Sequence, residues 1–278
     1  MTEQARGGFR AGVLQVNALN DMQANIDTAR TLVRRACDQG AQMLFMPENV
    51  AMMEWGRTNI IARAAPEADH PALAAFRQMA EELSVWLHCG TLAVLLPNGM
   101  VANRTYVLDS DGGIAARYDK IHMFDVDLGN GESYRESATF QPGEQAVVVD
   151  LPWCRMGLAV CYDIRFPHLF RTLAQAGADV LTAPAAFTRQ TGAAHWHVLQ
   201  RARAIETGCW MISSAQTGTH LNNRETYGHA LVVAPWGEVI ADAGTEVGVS
   251  VVDIDLTAVD VARGKVPSLR HDRAFGQP

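Results

Sequence analysis

The chain has 278 residues, 48% of them hydrophobic, and its 23 Lys and Arg against 30 Asp and Glu leave a formal net charge of −7. That composition excludes disordered, collagenous and small disulfide-scaffold classes. The acidic balance argues against a general binder of nucleic acid or anionic membrane, because phosphate recognition rests on a basic footprint, and it leaves small molecules as the expected partners.

The patterning predicts a strand over 11–16, then a helix over 26–36 with Ile26, Ala29, Leu32, Val33 and Ala36 on one face, then a strand over 43–46 that ends at Pro47. This is a βαβ opening. Leu73, Phe76, Ala80 and Leu83 mark a second helix, followed by an apolar run over 86–96. Asn98-Gly99 and Asp111-Gly112-Gly113 are tight-turn signals; they join 101–108 to 114–118 as a hairpin, so the sheet is mixed. A loop is expected over 129–143. Beyond it come strands at 146–149 and 156–160, a helix at 167–176, a strand at 180–183 and a helix at 194–206. Further strands are expected at 211–214, 230–233, 239–241 and 247–252. The alternation runs without a linker or repeat, which favours one α/β domain over 1–278. The tail from about residue 260 is assigned to an oligomer interface.

The cysteines, Cys37, Cys89, Cys154, Cys161 and Cys209, are odd in number and form no CxxC pair, so reduced cytoplasmic thiols are expected and a zinc site is not. The N-terminal sequence shows no export signal, and no apolar run reaches the ~18 residues of a membrane span. GNGES at 129–133 lacks the GK[ST] ending of a phosphate loop and no GxGxxG follows a strand, so no nucleotide cofactor is expected.

Cys161 lies in GLAVCYDIRFP, where an apolar strand gives way to a Pro-led helix, so its thiol is presented at a sharp strand-to-helix turn. A helix N-terminus or a nearby cation favours a thiolate there, and the N–H groups of the turn can face a developing oxyanion. A buried core cysteine fits the same local pattern. Such a nucleophile needs a base. Of the nine histidines, His122, His195 and His197 are nearest to candidates, yet none stands in a pattern that marks a base. His195 and His197 are two apart on a predicted helix and point to different faces, which weakens a metal reading. Glu48 in LFMPEN and Lys120 in RYDKIHMFD are better placed, at strand ends with apolar flanks that partly desolvate them. Burial raises a carboxylate pKa and lowers that of an ammonium, and pairing opposes both shifts, so such groups are tunable for proton transfer. Glu136, in SYRESATFQPG, is an ordinary charge when read alone.

MPEN around Glu48, YDKIHMFD around Lys120, GESYRESATFQPG around Glu136 and AVCYDIRFP around Cys161 resemble, in order and spacing, the four catalytic segments of the nitrilase, or carbon–nitrogen hydrolase, superfamily. The resemblance runs from about residue 11 to residue 255 or beyond. It implies that Cys161, Glu48 and Lys120 are catalytic, that Glu136 supports them, and that the fold is a four-layer αββα sandwich, usually paired with a second copy across the helices near the site. Within the superfamily, PAAFTRQTGAAHWHVLQRARAIETGCW, SSAQTGTH, YGHALVV and PWGEV are most similar to the Nit branch. That likeness implies an amide of a 2-oxo acid as substrate, deaminated glutathione ahead of 2-oxoglutaramate.

The chemistry so implied is acyl transfer through a thioester, with Lys120 and the Tyr162 N–H as oxyanion hole and no metal or cofactor. Arg165, four residues after the nucleophile, is a candidate to grip the substrate carboxylate, with a structural ion pair as its other reading. Phe187 and Thr188, in PAAFT, are candidate walls of the pocket. Another amide, a carbamoyl group or a nitrile are the competing substrates, and an inactive dimeric interaction or sensing protein is the non-enzymatic alternative.

Overall fold

The computed structural model describes residues 7–129 and 132–276. Its strands are β1 Gly8–Val16, β2 Met43–Phe45, β3 Trp86–His88, β4 Leu92–Leu95, β5 Val101–Leu108, β6 Ile114–Asp119, β7 Asp125–Gly129, β8 Glu132–Arg135 and β9 Val147–Asp150. They continue with β10 Arg155–Leu158, β11 Val180–Thr182, β12 Trp210–Ser213, β13 Ala215–Thr219, β14 Glu225–Tyr227, β15 Leu231–Val233, β16 Val239–Asp242 and β17 Gly248–Asp255. The helices are α1 Met22–Cys37, α2 Arg57–Arg63, α3 Pro71–Leu83, α4 Pro167–Gln175, α5 Arg189–Thr207 and α6 Thr257–Lys265.

Nine strands form one sheet in the order β14-β13-β1-β2-β3-β5-β4, with β17 along β1 and β6 along β5; six form a second, β16-β15-β12-β11-β10-β9. Strand alternation turns these sheets into layers. Phe9, Ala11 and Val13 of β1 share a core with Met156, Leu158 and Leu181 of the second sheet, so the two sheets pack face to face. Leu14 and Val16, between them in register, join Ile26, Val33, Leu73 and Phe76 of α1 and α3. Phe170, Leu173, Trp196 and Ala204 bring α4 and α5 onto the far side of the second sheet. The result is the helix–sheet–sheet–helix sandwich that the resemblance implies.

Local chemistry explains the main boundaries. Asp21 caps α1 by accepting from the Ala24 N–H at 3.1 Å, and the buried stripe of the helix is the one read from its spacing. α5 begins five residues before the expected 194, because Thr188 caps it at Thr191, and it ends at Gly208 in the left-handed region, φ +59°. The apolar run 86–96 is two strands rather than one. Gly90, at φ +59°, breaks it where the chain passes so close to Pro47 that a side chain would overlap the Pro47 carbonyl.

The expected loop 129–143 contains instead the second half of the β7–β8 hairpin and a short helical turn, Glu136–Ala138; its alternation is only half-buried to exposed, so no apolar period betrayed it. Residues 130 and 131 of the GNGES segment lie outside the described residues. α2 buries no side chain, β13 and β14 are short and polar at one end, and α6 buries only Val259 and Ala262, so pattern reading passed over all four. Past α6 the tail lies on its own chain: Arg171 donates to the Ser268 carbonyl and pairs with Asp272, and Gln175 donates to the Leu269 carbonyl at 3.1 Å. The last two residues of the tail assigned to an oligomer interface are outside the described residues. Among the described residues no helix is long and apolar enough to cross a membrane.

Gly90→Ala tests the close approach of β3 to the segment that carries Glu48. It is expected to lower stability by about 2 kcal/mol or more, from the left-handed backbone and the overlap together. Thermal melting checks this, and an unchanged midpoint would contradict the packing described.

Candidate active site

Glu48, Lys120 and Cys161 stand where strands end. Glu48 follows β2, a parallel strand of the first sheet, and Cys161 follows β10, which pairs in parallel with β11 in the second. The backbone at Glu48 is pinned: the Gln216 side chain donates to the Glu48 carbonyl at 2.9 Å, and Asn49, left-handed at φ +56°, donates its N–H to the Thr91 hydroxyl at 2.9 Å. Lys120 leaves β6 with its N–H on the Asn103 carbonyl at 3.0 Å. Cys161 takes φ +48°, a left-handed conformation that a non-glycine residue holds only under constraint, with its N–H on the Pro184 carbonyl at 3.0 Å. It opens the short helical turn Cys161–Arg165, and the Tyr162 N–H lies in the first turn, where amides have no acceptor within the helix.

The constraint on that turn is Asp163, fully buried. Its carboxylate accepts from the Val160 N–H at 2.8 Å, the Tyr118 hydroxyl at 2.7 Å and the His122 N–H at 3.0 Å, and it meets His122 Nδ1 at 2.7 Å. The turn that carries the cysteine is thereby tied to the strand end that carries the lysine.

The side chains converge in a buried charge cluster. Lys120 Nζ donates to Glu48 Oε1 at 3.1 Å and to both oxygens of Glu136, at 3.0 and 2.8 Å. Asn103 bridges the two carboxylates, its Nδ2 lying 2.9 Å from Glu48 Oε1 and 3.2 Å from Glu136 Oε1. Glu48 Oε2 accepts from the Ala186 N–H at 2.8 Å, and Glu136 Oε2 from the Phe124 N–H at 2.7 Å. Glu48, Lys120 and Cys161 are 3%, 2% and 8% exposed.

Burial pushes the Glu48 carboxyl up. Lys120, the Cys161 thiol, the Ala186 N–H and Asn103 outweigh it and hold the group below its ordinary range. Burial pushes Lys120 down, but Glu136 and Glu48 reverse that and raise it. For Cys161 burial and the neighbouring Glu48 both act upward, against a smaller pull from Lys120, so its pKa stands well above that of a free thiol. These opposing influences favour a neutral thiol beside a charged Glu48, whose Oε1 also accepts from the Lys120 ammonium. Such an arrangement delivers a proton from sulfur to Glu48 and offers a fixed cation to the negative charge that nucleophilic attack creates.

Above this cluster opens a cavity of about 350 Å³. Met52, Trp55, Phe124, Tyr134 and Phe187 make its apolar walls, and Arg57, Arg135 and Arg224 bring positive charge to it. Phe187 and Thr188 are among its lining residues. Arg165 is not: its guanidinium sits 5.3 Å from the Phe187 ring centroid and 5.7 Å from that of Tyr162, with Nη1 3.3 Å from His195 Nδ1. The structure thus sets this guanidinium against the rings of Phe187 and Tyr162, two residues of the cavity lining, rather than in the lining itself. Among the described residues no histidine lines the cavity. His122 serves Asp163, and His197, instead of pairing with His195, meets Asp242 at 2.9 Å beside His229, a set of three donors that lies outside the cavity. Sequence reasoning missed Asn103, Asp163, Gln216 and Arg224. Asn103 carried a visible signal, a polar residue at an inward position of the apolar strand VANRTYVL.

Residues 10–263 match the carbon–nitrogen hydrolase family, and the chain belongs to that family. It is 40% identical over 239 residues, 85% of its length and 83% of the relative's, to a deaminated glutathione amidase of Yersinia enterocolitica. Its fold superposes on the NitFhit protein of Caenorhabditis elegans with a TM-score of 0.90 at 35% identity, covering 97% of this chain and 66% of that one. It also superposes, with a TM-score of 0.82 at 25% identity over 97% of this chain and 95% of the other, on a mutant amidase from Nesterenkonia sp. AN1 that carries a covalent acetamide adduct at its active-site cysteine.

Lys120→Met tests the cluster. It removes the cation and leaves Glu48 and Glu136 facing each other, so kcat is expected to fall by about 10²–10³-fold, the effect of losing one oxyanion donor. One carboxyl then takes up a proton in the folded state. A group whose folded pKa is raised loses its stability contribution as pH rises, so the deficit of the variant against the parent should widen from acid to neutral pH. Turnover and melting curves across pH check both, and near-parental turnover in a folded variant would remove Lys120 from the role.

Proposed function

We propose that the protein is an amidase that hydrolyses the amide of a 2-oxo acid through a thioester on Cys161, with deaminated glutathione as its substrate. Glu48 takes the thiol proton as sulfur attacks the amide carbonyl, and the Lys120 ammonium and the Tyr162 N–H hold the tetrahedral oxyanion. Glu48 returns the proton to the departing amine as the carbon–nitrogen bond breaks. Water, deprotonated by the same carboxylate, then opens the thioester and regenerates the thiol. Glu136 acts through Lys120, accepting from the ammonium with both of its oxygens, while Asn103 fixes the spacing of the two carboxylates.

The observation that carries this reading is the single buried ammonium shared by Glu48 and Glu136 at the base of a cavity that also contains Cys161. The size of the cavity, about 350 Å³, and its arginines favour a substrate with anionic ends larger than a simple aliphatic amide. The relatives named deaminated glutathione amidase support the choice of substrate. The second reading is an omega-amidase that acts on 2-oxoglutaramate, which has the same acyl half and about half as many heavy atoms. Self-association in a reducing cytoplasm is part of the proposal: α5 exposes Val198 and Ile205, at 67% and 53%, and the five cysteines are free thiols.

A product assay over deaminated glutathione, 2-oxoglutaramate, N-carbamoyl amino acids and nitriles tests the function. Release of 2-oxoglutarate and cysteinylglycine with the highest kcat/KM of the panel is the expected result. A preference for 2-oxoglutaramate would establish the second reading instead.

A further inference from the structure

The chemistry above uses Cys161, Lys120, Glu48 and Glu136 and leaves one cation of the cavity without a task. Arg224 follows the short turn Leu221–Asn223 at the start of β14 and lines the cavity. Its Nη2 donates to the Ala186 carbonyl at 2.9 Å, and its guanidinium lies 5.3 Å from the centroid of the Tyr134 ring. Its Nε is buried and has no hydrogen-bond partner among the described residues. A buried donor without an acceptor is a standing cost that folded proteins rarely leave in place. A carboxylate is the acceptor that the fixed fork of a guanidinium fits best. The other two arginines of the cavity are exposed and otherwise engaged, Arg57 with the Ala138 carbonyl and Arg135 with the carbonyls of Val126 and Tyr134.

Ala186 fixes the side of the cavity on which such a carboxylate would lie. Its N–H holds Glu48 Oε2 at 2.8 Å, and its carbonyl holds Arg224. One residue thus joins Glu48, the group assigned to protonate the departing amine, to the Arg224 guanidinium, and this shared contact is the ground for seating the amine half of the substrate on that side.

We infer that Arg224 is a specificity-determining residue that binds a carboxylate carried by the leaving amine, as at the C-terminus of a dipeptide. Tyr134 flanks the guanidinium and holds its plane. The inference rests on the amidase reading given above and adds to it the half of the substrate that the enzyme discriminates.

The test compares the parent and Arg224→Gln on three substrates: deaminated glutathione, the same compound with its glycine carboxylate converted to an amide, and 2-oxoglutaramate, whose leaving group is ammonia. Glutamine keeps a donor for the Ala186 carbonyl, and a melting curve is taken on the same preparation. The expected loss in kcat/KM on deaminated glutathione is roughly 10- to 100-fold, the worth of a charge-assisted hydrogen bond. Amidation of the glycine should cost the parent a similar factor and the variant nothing further, and 2-oxoglutaramate should change by less than about threefold. Equal losses on all three substrates would show that Arg224 acts through Ala186 and Glu48, and would overturn the assignment. So would a parent indifferent to the amidation, a result that needs no variant to fold. A parent inactive on all three would overturn the amidase reading and this assignment with it.

Discussion

Everything at this site depends on keeping one ammonium between two carboxylates away from water. Three charged groups taken out of solvent lose several kcal/mol of hydration each, and their attraction repays that only where the geometry is tight and the remaining lone pairs and protons are satisfied. The fold meets the condition with backbone donors and one amide. Ala186 and Phe124 supply N–H groups to the outer oxygens of Glu48 and Glu136, and Asn103 spans the inner ones. Each of these comes from a different segment, so the cluster also fixes how the two sheets stand against each other at this end of the sandwich.

The same cluster determines the state of the nucleophile. A cysteine beside an isolated cation becomes a thiolate, but here burial and the neighbouring Glu48 carboxylate together outweigh the pull of the cation. In the proposed reaction the thiol stays protonated until attack begins, and Glu48, kept ionised by Lys120, receives the proton. The left-handed backbone at Cys161 and the four contacts of Asp163 hold the sulfur at the strand end, where the cavity reaches it.

Much of the framework was legible in the sequence because burial has a period. The stripe Ile26–Ala29–Leu32–Val33–Ala36 and the hairpin over 101–119 are dictated by side chains that must face the core. The site was legible for another reason: 112 residues lie between Glu48 and Cys161, no periodicity relates them, and only the likeness of four segments to a known family joined them. What stayed hidden lacked either signal. The β7–β8 hairpin has no buried face. Asp163 reads as one more charge in a motif until its four contacts are seen, and the place of Arg165 against that of Arg224 is decided by tertiary neighbours, the rings of Phe187 and Tyr162 in one case and the Ala186 carbonyl and Tyr134 ring in the other.

The central claim is that Glu48 both suppresses the thiolate in the resting enzyme and serves as its base in turnover. Glu48→Gln separates the two roles, because it removes an anion from beside the sulfur and leaves Lys120 with Glu136. The measurement is the rate of alkylation of Cys161 by iodoacetamide against pH, followed by mass spectrometry, with amide turnover on the same protein. The account predicts that the alkylation profile of the variant shifts to lower pH than that of the parent, while kcat falls by about 10²–10⁴-fold. A profile that shifts upward, or turnover that survives the substitution, would contradict it.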